Sequence, residues 1–364
     1  MSGKHQSRRD FLKASAVAAA AGSVPVWFSP TSARAFDFKN ANDRPIIGCI
    51  GTGDRWSGRG GVGPNALEFG NCVAVCDVDA NHAARGKQIV AEHQGRKGFD
   101  QQIEVHEDYR KILDRKDIEI VTIVTTDHWH SKIAIEALQA GKDVYCEKPL
   151  TLTILEGKQI RKVLDQTKQV FQVGTQQRSQ FNIKEGEPSQ NTGQLFLTAL
   201  AMIRDGRIGD VKRATCDIGG SSKSGPLPKV PVPSGLNWEK WLGQAPLVDY
   251  ISGPSEGRNY PPSRCHYEFR WWYEYSGGKM TDWGAHHVDI AQWALGMDNS
   301  GPVSVDPVHA VHPVPFEDGR PTVDNEYNAA TEFTVVCKFA NGGEIRIVHA
   351  SPDGNGILFE GTKG

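Results

Sequence analysis

The sequence predicts an α/β protein in which a doubly wound parallel sheet is followed by a second domain. Strand-like and helical stretches alternate from residue 45 to 174, and longer strands replace this alternation after Val211. A chain of 364 residues is long enough for two hydrophobic cores. Hydrophobic residues at 38% and charged residues at 23% are ordinary proportions for a globular protein.

Residues 1–35 have the pattern of an export signal. Arg8 and Arg9 precede a mildly apolar run, residues 14–28, and Ala33-Arg34-Ala35 offers a small-residue cleavage site. The run is too short to span a bilayer. Paired arginines before such a run are typical of a twin-arginine signal, so we expect a periplasmic protein without a membrane span.

The composition of the remaining chain argues against two classes of protein. Residues 1–35 carry five basic residues and one acidic residue, so their removal leaves 36 basic and 42 acidic residues, a net charge of −6. This balance gives no basic surface for nucleic acid. The seven cysteines have no regular spacing, and most lie in or beside strand-like runs. We therefore expect free, buried thiols and no disulfide framework.

The predicted elements of the first domain, residues 44–174, follow from apolar runs bounded by glycine, proline and acidic residues. We predict strands at 45–51, 72–76, 103–106, 118–124, 143–146 and 170–173, with helices at 80–93, 109–113, 132–140 and from Leu150 to about Thr167. The second domain, residues 175–364, begins with a predicted helix at 194–205, and residues 219–235 read as a long ordered loop.

Gly51-Thr52-Gly53 directly follows the first strand and supplies two glycines of a phosphate-binding turn. The third glycine is out of register, because Trp56 takes its place. A complete G-x-G-x-x-G pattern at 58–63 does not follow a strand, so we discount it. Asp77 ends the next strand. A carboxylate there binds ribose hydroxyls and repels a 2′-phosphate, which favours NAD over NADP; the alternative is a surface aspartate.

Glu147-Lys148-Pro149 follows the strand that ends at Cys146. Proline restricts the residue before it to extended conformations, which leaves Lys148 little backbone freedom. The carboxyl end of a parallel strand is where ligands bind in an open sheet. The alternative interpretation of this triplet is a surface turn with a solvated ion pair.

A second cluster combines histidine with two carboxylates. Asp282, His286 and Asp289 are spaced so that they fall near one helix face. Flanking carboxylates would hold the imidazole in one tautomer as a proton acceptor. One alternative is a core histidine; another is a metal site formed by His286, His287 and Asp289. Adjacent helical residues point about 100° apart, so we expect no metal.

Together with the nucleotide-binding turn, the E-K-P triplet and the pattern Asp282-x-Gly284-x-His286-x-x-Asp289 resemble the glucose–fructose oxidoreductase/inositol dehydrogenase/MocA (Gfo/Idh/MocA) family. The stretches 126–130, 174–179, 206–211 and 236–243 resemble its exported bacterial branch. The resemblance runs from residue 45 to the end. It implies a second domain with an open, mostly antiparallel sheet, helices on one face, and a homo-oligomer formed through the other.

The resemblance also implies site residues. By position, Lys148 would lie beside the nicotinamide, Asp282 and His286 would be the acid–base pair, and the Lys148–Pro149 peptide bond would be cis. The implied NAD contacts are Gly51, Gly53, Asp54, Arg55, Asp77, Thr125, Thr126, His130, Glu147, Lys148 and Gln177. The implied substrate contacts are Arg178, Trp272 and His287.

Three features depart from the family pattern. The glycine turn is stretched, and Thr126 stands where proline is common. The chain stops at Gly364, where relatives usually continue with a further strand and helix, so we expect an incomplete second domain.

Tryptophan and tyrosine residues are concentrated in the second domain, where they could stack on a sugar or fill a core. They are Trp238, Trp241, Tyr260, Tyr267, Trp271, Trp272, Tyr273 and Trp283. Both interpretations stay open.

We predict an NAD-dependent oxidoreductase that acts on a sugar or cyclitol. The alternatives are an NAD-assisted glycosidase or lyase, and a non-catalytic sugar- or cofactor-binding protein.

Overall fold

The structure, a computed structural model, describes residues 44–364 except 59, 100–101, 180–191, 256 and 258–259. The predicted export signal lies outside the described residues. Residues 45–364 form one packed unit that is organised around two main sheets. All seven cysteines are buried and free, as predicted. Among the described residues, no helix is both long and apolar enough to span a membrane.

The first sheet has six parallel strands in the order β3-β2-β1-β4-β5-β6. The strands are β1 (Ile46–Ile50), β2 (Asn71–Cys76), β3 (Glu104–His106), β4 (Ile120–Ile123), β5 (Asp143–Glu147) and β6 (Phe171–Gly174). This confirms the doubly wound sheet. The chain reverses its direction of winding between β1 and β4, and ligands bind outside the carboxyl ends of strands at such a switch point.

Six helices cover the first sheet in the described part of the chain. They are α1 (Asp54–Ser57), α2 (Val62–Phe69), α3 (Ala80–Arg96), α4 (Arg110–Leu113), α5 (Asp127–Gln139) and α6 (Ile154–Thr167). Helix α5 begins five residues before its predicted start at Lys132. In the added turn, His128 and His130 are buried, and their ring nitrogens lie within hydrogen-bond distance of backbone carbonyls.

Two glycines in this domain are required by their surroundings. Gly51 has φ +80°, and a Cβ there would lie 2.5 Å from the Val124 carbonyl oxygen. A Cβ on Gly63 would meet the ring of the fully buried Trp56. Gly63 therefore allows α2 to pack on Trp56, in agreement with discounting the 58–63 pattern as a phosphate-binding turn.

The second sheet has five strands in the order β13-β7-β12-β11-β8. They are β7 (Val211–Asp217), β8 (Ser304–Val311), β11 (Glu332–Lys338), β12 (Glu344–Val348) and β13 (Gly356–Gly361), and β9 (Phe316–Glu317) pairs separately with β10 (Arg320–Pro321). All neighbours in this sheet are antiparallel except β7 and β12. This confirms the open, mostly antiparallel sheet.

The helices of the second domain are α7 (Thr192–Arg204), α8 (Trp238–Leu242), α9 (Lys279–Asp282) and α10 (Gly284–Ala294), in the described part of the chain. Helix α10 packs on the second sheet, where Ala291 and Leu295 share a core cluster with Ala214 and Ile345. Residues 219–235 form neither helix nor strand, but Leu227 is buried, in line with an ordered loop.

Candidate active site

One cleft of 570 Å³ lies between the carboxyl ends of the first sheet and the second domain. The second domain contributes the start of α10 and a short 3₁₀ helix, His266–Trp271. Of the predicted site residues, those that line the cleft are Gly51, Gly53, Asp54, Arg55, Asp77, Thr125, Thr126, Glu147, Lys148, Asp282 and His286. The structure therefore brings together the glycine turn, the E-K-P triplet and the acid–base cluster.

Lys148 crosses from the first domain to Asp282 of the second. Its Nζ lies 2.7 Å from Asp282 Oδ1, and both side chains are almost buried. Asp282 Oδ2 accepts a second bond from Arg270 at 3.0 Å. Burial alone would raise the pKa of Asp282, but the Arg270 and Lys148 cations outweigh it and lower the pKa to about 2. A permanent carboxylate thus holds the ammonium in the cleft. The Lys148–Pro149 bond is cis, as the resemblance implies.

His286 is buried at the edge of the same cleft, and its Nδ1 has no hydrogen-bond partner within the described ranges. Burial, and secondly the Lys148 ammonium, lower the pKa of His286 to about 3. The imidazole is therefore neutral at neutral pH, and it lines the cleft.

The prediction that two carboxylates hold His286 is wrong. Both oxygens of Asp282 are taken by Lys148 and Arg270. Asp289 receives two bonds from Arg178, at 2.6 and 2.8 Å. The physical reason is that permanent cations from other elements reach these carboxylates, whereas a buried imidazole is neutral.

Arg178 does not line the cleft. Its guanidinium is held by Asp289 and by Asp298 at 2.8 Å, and it lies 4.8 Å from the ring of Trp293. Its predicted substrate contact is therefore corrected to a structural ion pair between the turn after β6 and helix α10.

Trp272 and His287 also lie away from the cleft. Trp272 is fully buried, and its Nε1 donates to the Ser263 carbonyl at 3.0 Å. His287 is 2% exposed, with Nδ1 3.1 Å from the Asp217 carbonyl oxygen. Both predicted substrate contacts are corrected: these side chains complete the core of the second domain.

Two predicted cofactor contacts lie behind the wall of the cleft. His130 is buried, with Nδ1 2.7 Å from the Pro149 carbonyl oxygen and Nε2 3.2 Å from that of Thr125. It therefore links the segments that follow β4 and β5, on the side away from the cleft. Gln177 is buried as well, whereas its neighbour Gln176 lines the cleft. The resemblance thus identified this turn but was one residue out of register.

The opposite end of the cleft is built around Asp77. Its carboxylate accepts bonds from the backbone N–H of Thr52 at 2.7 Å and of Asp79 at 3.0 Å. Burial raises the pKa of Asp77. Gly53, the N-cap of α1, provides no side-chain cap for the first turn. The backbone N–H groups of that turn are therefore left for a phosphate. A carboxylate ending β2 beside an uncapped glycine turn fits a dinucleotide.

The glycine turn is braced by ion pairs on both sides. Arg55 bonds to Glu147 with nitrogen–oxygen distances of 2.8 and 2.9 Å, and Asp54 pairs with Arg85 at 2.9 Å. These contacts tie the turn to the E-K-P strand and to α3. Both Asp54 and Arg55 therefore line the cleft with side chains that are already paired.

Sequence reasoning missed Asp127 and Arg270. Asp127 is buried in the wall of the cleft and accepts a bond of 2.5 Å from Ser276. Burial raises the pKa of Asp127 to about 7, although Ser276, Lys148 and Arg270 all oppose it. Its position directly after β4 was a usable signal. Arg270 stands in an aromatic stretch that gives no such signal.

The aromatic residues divide between core and cleft. Trp238, Trp271 and Trp272 are buried in one core cluster. Tyr267 and Trp283 line the cleft and are 47% and 37% exposed. Tyr267 already stacks on Tyr260, with ring centroids 5.6 Å apart, and has the Arg270 guanidinium 4.1 Å from its ring centroid. Of the two, Trp283 is therefore the better candidate for stacking on a ligand.

Two family models match consecutive parts of the chain. "Oxidoreductase family, NAD-binding Rossmann fold" matches residues 47–175, and "Oxidoreductase family, C-terminal alpha/beta domain" matches residues 221–364. A model of the twin-arginine translocation signal matches residues 5–25, which supports export. The first domain is therefore an NAD-binding domain.

The curated relatives include proteins named as glycosyl hydrolases. Glycosyl hydrolase family 109 protein 2 of Shewanella sp. (strain ANA-3) is 35% identical over 164 residues, which are 41% of this chain and 35% of that protein. A family 109 protein of Shewanella pealeana is 31% identical over 217 residues, 56% of this chain and 44% of that protein. The chain spans less than half the length of each.

The similar solved structures include sugar oxidoreductases. Levoglucosan dehydrogenase in complex with NADH and L-sorbose has a TM-score of 0.55 at 21% identity, covering 88% of this chain and 71% of that one. Aldose-aldose oxidoreductase from Caulobacter crescentus, complexed with glycerol, has a TM-score of 0.55 at 17% identity, covering 88% and 75%. These likenesses show a shared fold.

Proposed function

The chain belongs to the Gfo/Idh/MocA oxidoreductase family, and we propose that it transfers a hydride between NAD and a secondary alcohol of a sugar or cyclitol. The observation that carries this proposal is the Lys148–Asp282 contact of 2.7 Å in a cleft that also holds His286 and Asp77. An ammonium, a neutral imidazole and a ribose-binding carboxylate thus border one space, as nicotinamide-dependent oxidation of an alcohol requires.

Oxidation of a secondary alcohol breaks one C–H bond and one O–H bond. NAD, when bound, supplies the acceptor of the hydride. His286 is neutral and its ring lines the cleft, so we assign the role of acceptor of the hydroxyl proton to this imidazole. The Lys148 ammonium stabilises the negative charge that develops on the substrate oxygen. Asp282 and Arg270 position Lys148 for this role.

A carbohydrate substrate is supported by an exposed aromatic ring in the cleft. The C–H faces of a sugar stack on aromatic rings, and Trp283 offers such a ring beside His286. L-sorbose, with which levoglucosan dehydrogenase forms a complex in its solved structure, is a hydroxyl-rich sugar of the same chemical class.

We also propose that the protein is periplasmic, retains NAD, and recycles it with a second substrate, because an exported enzyme meets little free NAD. Assembly into a homo-oligomer is part of the same proposal.

The test begins with mass analysis of freshly purified, denatured protein for NAD(H). A panel of sugars and polyols is then mixed with the native protein while the absorbance of reduced nicotinamide is followed. We expect equimolar NAD and reduction by at least one sugar, slowed when the oxidised carbon carries deuterium. Protein free of NAD that also fails to bind added NAD would overturn the proposal.

A second candidate is an NAD-assisted glycosidase or lyase that oxidises a ring carbon transiently. The curated relatives favour it, and so does Asp127, a cleft carboxyl with its pKa raised to about 7, which suits a proton donor to a leaving oxygen. Turnover of glycosides in heavy water distinguishes the oxidoreductase from the NAD-assisted glycosidase or lyase. Cleavage without net NADH, with deuterium appearing at C2, selects the glycosidase.

The third candidate is a non-catalytic sugar- or cofactor-binding protein. Lys148→Ala and His286→Ala variants discriminate it, because neither substitution should change its function. If both variants keep every measurable activity of the parent protein, the binding role is selected.

A further inference from the structure

We propose that the 3₁₀ helix His266–Trp271 is a clasp that retains NAD, and that His266 closes the adenosine end of the cleft against Asp79 and His82 of the first domain. This inference rests on the proposed retention of NAD and is independent of the substrate. It assigns a cofactor-holding role to an imidazole of the second domain, at the same end of the cleft as the glycine turn.

The 3₁₀ helix reaches both ends of the cleft. At one end, His266 Nε2 lies 3.5 Å from Asp79 Oδ2. At the other end, Arg270 Nη1 lies 3.0 Å from Asp282 Oδ2. Tyr267 and Phe269, between them, line the cleft as well. A single short segment therefore faces the ribose-binding end and the Lys148 end together.

The contact made by His266 is built from both domains. Asp79 uses Oδ1 to cap α3, accepting from the Asn81 N–H at 2.8 Å, and its Oδ2 faces His266. The ring of His82 lies 4.9 Å from that of His266, edge on. His82 Nδ1 in turn lies 3.9 Å from Asp77, the ribose-binding carboxylate. The closing contact is therefore one side chain away from the predicted ribose site.

The backbone of His266 supports a dedicated role for this ring. His266 has φ +48°, in the left-handed region that residues other than glycine rarely adopt. Such conformations persist where the surrounding structure holds them, and they concentrate at ligand clamps. Here the conformation directs the ring across the domain boundary.

A second segment covers the same end of the cleft. The Asn237 N–H donates to the Val78 carbonyl, and the Ala80 N–H donates to the Gly235 carbonyl, both at 2.9 Å. Lys240 pairs with Glu107 at 2.5 Å. The carboxyl ends of β2 and β3 are thus covered by the second domain. NAD can leave past them only after cross-domain contacts open, which slows its dissociation.

The experiment measures exchange of the bound cofactor in the full-length protein as purified. The protein is mixed with excess isotopically labelled NAD, and the bound fraction is followed by mass analysis of denatured samples. His266→Asn is the main variant, because asparagine tolerates left-handed φ but is too short to reach Asp79. We expect exchange about tenfold faster than in the parent protein. His309→Asn, which changes a half-exposed histidine of β8, is the matched control and should exchange like the parent.

Circular dichroism would reveal a folding defect in His266→Asn. In that case a second variant, His82→Ala, tests the same contact. Removing the facing ring should speed exchange about threefold. Parental exchange rates in both folded variants would overturn the clasp. Slow exchange in a Lys148→Ala protein that has lost hydride transfer would leave the clasp intact, so the two proposals fail separately.

Metal binding is a further outcome of the same experiment. Asp79, His82 and His266 offer ligand atoms that all lie within 4.8 Å of one another. Two imidazoles and a carboxylate suit a divalent transition metal. If elemental analysis finds an equimolar metal, and chelation alone speeds exchange to the His266→Asn rate, the cluster is a metal site. That result would overturn direct closure by His266.

Discussion

Two ion pairs connect the first sheet to the helices of the second domain, and they differ in what surrounds them. Lys148 follows β5 and contacts Asp282 at 2.7 Å; Arg178 follows β6 and contacts Asp289 at 2.6 Å. The first pair lines the cleft beside His286. The second is shared with Asp298, outside the cleft. A charged pair that joins the end of a first-sheet strand to a helix of the second domain is therefore not itself a mark of a site; a free space next to it is.

The largest expected difference between the two ion pairs comes from removing the lysine. Lys148→Ala should slow reduction of bound NAD by a sugar about a thousandfold, because the charge developing on the substrate oxygen loses its ammonium. The rate is measured in a single turnover, with NAD content determined beforehand. Arg178→Ala is the matched control and should stay within about threefold of the parent. Equal losses in the two variants would contradict the distinction.

The next largest effect concerns the proton acceptor. His286→Asn should slow the same single turnover about a hundredfold while NAD stays bound, because asparagine cannot take the hydroxyl proton. His287→Asn, one residue along the same helix but outside the cleft, provides the comparison. A His286 variant as fast as the parent would assign the proton to another group.

Arg178 should matter for stability. Arg178→Ala leaves Asp289 partly buried without its two bonds, which should lower the free energy of unfolding by about 2 kcal/mol after allowance for solvent screening. Urea denaturation measures this loss. An Arg178→Ala/Asp289→Asn double variant should recover part of it, and no recovery would show that the pair is not the cause.

The smallest effect is a pH dependence at Asp127, beside Lys148. Its folded pKa of about 7 lies above the ordinary value of 3.8, so the folded state holds the proton more tightly, and the stability this provides is lost as pH rises from 3.8 to 7. Asp127→Asn removes the titration. The free energy of unfolding of this variant, minus that of the parent, should be about 1 kcal/mol higher near pH 8 than near pH 4. A difference independent of pH would contradict the raised pKa.

The sequence predicts much of the fold because local patterns specify it. Alternating apolar strands and helices, a glycine turn and Asp77 identify the first sheet and one end of the cleft. The E-K-P triplet identifies the other end through the restriction that Pro149 places on Lys148. Each of these signals lies within a few residues of the element it specifies.

The parts that were missed depend on approach between distant residues. Arg178 lies 111 residues before Asp289, and Arg270 belongs to a different element from Asp282, so spacing along one helix misassigned both carboxylates. The resemblance implied His130 as a cofactor contact, whereas the structure buries it behind the wall of the cleft. Pairing between separate elements, which supplies the cations of the cleft, requires the tertiary structure.

The central claim is that an ammonium from one domain and an imidazole from the other act on one carbon beside NAD. Single-turnover reduction of bound NAD, followed for parent, Lys148→Ala and His286→Asn proteins matched in NAD content, tests it most directly. The account predicts full reduction in the parent and losses of about a hundredfold or more in both variants. Reduction at the parental rate in either NAD-loaded variant would contradict it.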